Sequence, residues 1–115
     1  MENIEVFINT IVNAAEDKKA ENIEVLKVSD LTTIADYFVI MSGNSKVQNQ
    51  AIADEILKKA GKKGLFSVEG YDLAEWILMD YGSVIVHIFT PEKRSFYDLE
   101  SLWADAEKIL NRDED

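Results

Sequence analysis

The chain has 115 residues, no cysteine, a single histidine and a formal net charge of −10 at pH 7. That length suits one domain with one core, and the missing cysteines exclude disulfides, thiolate zinc sites and a cysteine nucleophile while suiting a reducing compartment. The 22 carboxylates against 12 lysines and arginines argue against a nucleic-acid binder, whose affinity comes from cations displacing phosphate counterions.

In chain order, Ile4, Phe7, Ile8, Ile11, Val12 and Ala15 recur at helical spacing and predict an amphipathic helix over 2–18, with Glu5, Asn9 and Glu16 outside. The acidic start before Ile4 lacks the basic character of a leader, and no run of about 18 apolar residues predicts a membrane span. The chain is therefore read as cytoplasmic, and as bacterial rather than organellar. Ile23, Val25 and the Lys27-Val28 pair predict a short strand, followed by a polar connector from Ser29 to Ala35. Tyr37-Phe38-Val39-Ile40-Met41 is a continuous apolar run, as in a central strand buried on both faces. Ser45 with Gln48 forms a capping box that opens a helix over 45–60, ended by Gly61 with Lys58 and Lys59 at the favourable pole of its dipole.

Leu65 to Glu69 predicts a further strand, and two β-type runs then meet at Gly82-Ser83, where glycine comes first as a two-residue II′ hairpin turn requires. The turn sets the register: Tyr81 faces Val84, Asp80 Ile85, Met79 Val86, Leu78 His87, Ile77 Ile88 and Trp76 Phe89. Alternation puts Ile77, Met79, Tyr81, Val84, Val86 and Ile88 on a core face. The other face carries Trp76, Leu78 and Asp80 beside Ile85, His87 and Phe89. Two readings stay open for it. Another element covers it, with Asp80 and His87 bonded diagonally to each other, or it is a protein-binding surface anchored by Trp76.

Thr90-Pro91 has the N-cap and N1-proline form that starts a helical turn. Asp98 is expected to cap a last helix with the stripe Leu99, Leu102, Trp103, Ala106 and Leu110, leaving residues 1–110 as one domain and 111–115 as an acidic tail. The order predicts an α/β (α+β) fold with a mixed five-stranded sheet and helices chiefly on one face.

Three blocks carry a family resemblance. They are Asp30 through Ser45, Glu69-Gly70-Tyr71-Asp72 with Trp76 through Gly82 and Val86-His87-Ile88-Phe89, and Arg94 through Ala106. Together, spaced as here, they resemble the ribosomal silencing factor family, RsfS or Iojap-like. The resemblance implies a non-catalytic factor without cofactor that binds the large ribosomal subunit at its protein L-fourteen and keeps the small subunit from joining, with little direct nucleic-acid contact. A role in large-subunit assembly stays open beside silencing. The residues expected to bind are Trp76 for buried area, Asp80 for a charge-assisted bond, Leu78 and His87 for shape, Tyr81 where the hairpin end twists it outward from the core face, and Phe89 at the edge. A bare apolar face would also pair with a second copy, so a homodimer is expected for the free chain.

The competing chemistry is phosphoryl transfer. Ser42-Gly43-Asn44-Ser45 lies at a strand-to-helix junction, and this placement is similar to that of the nucleotidyltransferase fold. Such an enzyme needs carboxylates at alternate positions of one strand to hold divalent metal. Glu69 and Asp72 instead flank a glycine turn and Asp80 stands alone, so Ser42 and Ser45 are expected to cap and pack. Gly61-Lys62-Lys63-Gly64 lacks the length and closing Lys-Ser/Thr of a phosphate loop. His87, being single, offers no histidine pair for zinc, and Trp103 is read as core.

Overall fold

Helix α1 (Ile4–Asp17) opens the described part of the chain, residues 3–112 of a computed structural model. The Asn3 side chain accepts a hydrogen bond from the Glu5 N–H at 2.7 Å, satisfying one of the free donors of the first turn. Its apolar stripe of Ile8, Ile11, Val12 and Ala15 is buried. Strand β1 (Glu21–Lys27) pairs antiparallel with β2 (Tyr37–Ser42), which leads into α2 (Lys46–Ala60). Ser45 caps α2 by accepting from the Gln48 N–H at 3.0 Å. The reciprocal half of the expected capping box is displaced by one residue, because Gln48 Oε1 accepts from the Asn44 N–H at 2.7 Å. The Gln48 amide nitrogen reaches the Lys18 and Lys19 carbonyls, tying the start of α2 to the end of α1. Gly61 ends α2 with φ 83°, a conformation that costs glycine little.

Strand β3 is shorter than expected, Ser67–Glu69, and is followed by β4 (Trp76–Asp80) and β5 (Val84–Phe89). Thr90 then caps α3 (Pro91–Tyr97), as the Thr-Pro pair predicts. The sheet order is β3-β4-β5-β2-β1 followed by a sixth strand, β6 (Glu107–Arg112), with β2 and β5 parallel and the other pairs antiparallel. One sheet face packs on α1 and α2 around Ile11, Val25, Val39, Ile52, Ile56, Ile77, Met79 and Val86. The second face, with Leu26, Phe38, Ile40, Ile85 and Phe89, lies under Leu99, Trp103 and Ala106. The long helices thus share one face, and α3 and the short α4 (Leu99–Leu102) belong to the other. Among the described residues no helix is long and apolar enough to cross a membrane.

The sheet has six strands, not five, and the expected last helix is the cause. Only Leu99–Leu102 is helical; the chain then turns and becomes β6, antiparallel to β1. Leu99, Trp103 and Ala106 pack on the second face, whereas Leu110 packs against the core on the first. A single helix stripe cannot reach both sides of a sheet, but a strand at its edge can. The strand also pairs the backbone of β1, whose Val25 and Leu26 are fully buried and would otherwise border unpaired polar groups. β6 continues through Asn111 and Arg112; the rest of the expected acidic tail lies outside the described residues.

Candidate protein-binding face

The β4–β5 register is the expected one, from Trp76 opposite Phe89 to Asp80 opposite Ile85. Gly82 takes φ 85° at the tip, and the Tyr81 N–H donates to the Val84 carbonyl at 2.9 Å. Ile77, Met79, Val84, Val86 and Ile88 form the core face. Tyr81 belongs with them. Its ring meets Phe7 edge-on at 5.0 Å and its hydroxyl donates to the Gly61 carbonyl at 3.1 Å, so the expectation that Tyr81 lies on the binding face is corrected. Burial raises its phenol pKa.

On the second face Trp76 stacks on Phe89, with ring centres 5.0 Å apart, and lies 4.6 Å from the Tyr97 ring of α3. Its indole N–H donates to His87 Nδ1 at 3.1 Å. The anticipated Asp80–His87 bond therefore does not form. Asp80 Oδ1 accepts from the Gly82 N–H at 2.8 Å, so this carboxylate braces the hairpin turn. His87 packs edge-on against Phe38, and its Nε2 is buried with no hydrogen-bond partner. Burial pushes the His87 pKa down to about 4, so the ring is neutral at physiological pH. Phe89, expected at the edge, is fully buried, and His87 nearly so; both support Trp76 from below.

What reaches solvent on this face is Trp76, Leu78 and Asp80, each partly buried, with two grooves beside the indole. One, of about 160 Å3, is lined by Gly70, Leu73, Glu75, Lys93 and Tyr97. The other, of about 220 Å3, is lined by Glu69, Gly70 and Leu78. Gly70 brings the loop close: its φ is 77°, and a Cβ there would stand 2.2 Å from the Trp76 carbonyl oxygen. Leu73 (69% exposed), Phe96 (76%) and Tyr97 (45%) extend the apolar surface. These three escape sequence reasoning because Leu73 sits in a turn and Phe96 and Tyr97 on a helix too short to show a period. The available signal was the Tyr97-Asp98 pair, readable as a contact rim or as a cap.

Arg94 fastens this cover. Its side chain donates to Glu100 at 2.6 Å and to Ser42 Oγ at 3.0 Å, and lies 3.9 Å from Glu24. Ser42 therefore serves packing between β2 and α3, and Ser45 caps α2. Among the described residues no three or more His, Asp or Glu side chains converge where they could hold a metal.

The fold is that of a small α/β domain built on a mixed six-stranded sheet, with an aromatic-centred face at one end of it. Its residues 1–115 match the family described as "Ribosomal silencing factor during starvation", RsfS, and the chain belongs to that family. It is similar to a ribosomal silencing factor of Halalkalibacterium halodurans, 44% identical over 105 residues that make up 90% of each chain. It is also similar to the mouse protein named "Mitochondrial assembly of ribosomal large subunit protein 1", 33% identical over 101 residues, covering 84% of this chain and 44% of the mouse protein. A crystal structure of a Chromobacterium violaceum protein superposes with a TM-score of 0.85 at 32% identity, over 90% of this chain and 88% of the other.

Proposed function

We propose that this chain represses translation by docking on the large ribosomal subunit, through its protein L-fourteen, so that the small subunit cannot join. Family membership supports the ribosome as the target, and the observation that carries a protein partner is the Trp76 face. An indole flanked by two grooves and widened by Leu73, Phe96 and Tyr97 has the anatomy of an interface hot spot. The net charge of −10 agrees with a basic protein rather than RNA as the main contact. Silencing then needs no allostery, because a bound body that overlaps the small subunit makes the two binding events mutually exclusive. Such a factor acts in the cytoplasm as a non-enzymatic binder.

Trp76 and Leu78 are the direct contacts, Asp80 contributes from the turn, and His87 and Phe89 hold the indole in place. The free chain pairs with a second copy through the same apolar surface, and the partner competes with that pairing. Large-subunit assembly is the second reading, and the name of the mouse relative favours it. Both readings are tested by sedimentation. Purified chain added to free large subunits before small subunits should co-sediment with them and lower the yield of joined ribosomes. Co-sedimentation without effect on joining would favour assembly, and recovery chiefly on translating ribosomes would overturn the blocking mechanism.

A further inference from the structure

Glu69 is the carboxylate that lines the groove beside Trp76 and Leu78. In the β3–β4 register it stands directly opposite Leu78, so its side chain shares the face of Leu78 and Trp76. It lines the groove of about 220 Å3 with Gly70, Trp76 and Leu78, and it is exposed, its carboxylate making no hydrogen bond or ion pair among the described residues. Glu75, which lines the other groove, and Asp80, on the same face of β4, are both engaged within the chain. Glu75 meets Lys46 at 3.6 Å and Lys93 at 3.9 Å, and Asp80 accepts from the Gly82 N–H. The Gly70 turn, which admits no side chain, keeps Glu69 close to the indole.

The geometry points to this groove as the receptor for a basic side chain of a protein partner, its methylene stem against Leu78 and the Trp76 edge and its cationic head on the Glu69 carboxylate. The chemistry is complementary at both ends. Long cationic side chains bury their stems along apolar walls, and a charge-assisted bond to carboxylate is stronger than a neutral one. Glu69, rather than Asp80, thereby becomes the charge that selects the partner. This inference rests on the proposed docking face, and its test separates the two.

The free protein is titrated with an acetylated, amidated Arg-Leu-Arg peptide and, for comparison, with Glu-Leu-Glu, while backbone amides and the Trp76 indole N–H are followed by NMR. The arginine peptide should shift Glu69, Gly70, Leu78 and the indole; the glutamate peptide should not. Glu69→Gln, a near-isosteric change on an exposed strand, should weaken the arginine peptide roughly tenfold, and Glu92→Gln on α3 should leave it unchanged. Shifts that spread over other acidic surface, or that survive Glu69→Gln at full strength, overturn the inference. In parallel, Glu69→Gln should weaken co-sedimentation with large subunits by a similar factor and flatten its salt dependence. If wild-type chain co-sediments and Glu69→Gln does so equally, the inference fails while the docking reading stands. If wild-type chain does not co-sediment but the peptide response is as described, the docking reading fails and the basic-group site stands.

Discussion

His87 should make the fold acid-sensitive well above the pH at which carboxylates protonate. In the folded chain its imidazole is buried among Phe38, Trp76 and Phe89 and titrates at about 4, against about 6.5 for an exposed imidazole. The unfolded chain therefore takes up a proton at a pH where the folded chain does not. Stability from this group is full above about pH 6.5 and is lost progressively as pH falls towards 4. Each pH unit over which the two states differ by one proton is worth about 1.4 kcal/mol. The loss between pH 7 and 4.5 therefore comes to about 2–3 kcal/mol, a large share of the stability of a small domain. The perturbation that isolates it is His87→Asn, which keeps an acceptor near Nδ1 for the Trp76 indole but does not titrate. Urea unfolding of both proteins at several pH values from 7 to 4.5 gives the two slopes. The variant should be less stable at pH 7, because the ring leaves a void, yet its stability should fall less steeply with acid by about 2–3 kcal/mol over the range. Equal pH slopes would show that His87 is not the buried neutral group described, and would refute the reasoning.

Trp76→Phe should retain folding while leaving His87 Nδ1 buried and unpaired, a cost of about 1–3 kcal/mol in urea unfolding. Trp76→Ala should cost more than that in stability and more than about 2 kcal/mol in large-subunit binding; unchanged binding would remove Trp76 from the interface. Gly70→Ala combines a positive φ with a clash against the Trp76 carbonyl, so melting should drop by several degrees, and an unshifted melt would argue against the tight loop. Ser42→Ala should leave large-subunit binding nearly unchanged, and the wild-type chain should turn over no nucleoside triphosphate with magnesium. Chelator-sensitive turnover would restore the transferase reading.

The local elements were legible in the sequence wherever one short-range rule decides them. Gly82-Ser83 sets the hairpin register, Ser45 and Gly61 bound α2, and Thr90-Pro91 starts α3. The core face of β4 and β5 follows from that register alone. The last segment defeats such a rule because Leu99, Leu102, Trp103, Ala106 and Leu110 satisfy a helical period, yet Leu99, Trp103 and Ala106 pack on one side of the sheet, Leu110 on the other, and Leu102 is exposed. Periodicity records which residues are apolar, not which surface buries each of them.

The same distinction divides the candidate site. Sequence determined that Trp76, Leu78, Asp80, His87 and Phe89 share one side of a hairpin, since alternation along a strand is a property of the backbone. Only the tertiary structure decided which of them meet solvent. α3 and α4 fold over that side, bury Phe89 and His87, and add Tyr97 and Phe96, while the β3 pairing brings Glu69 beside Leu78. Those contacts join residues separated along the chain by loops and whole elements, and their geometry is set by how the elements pack, which no local pattern encodes.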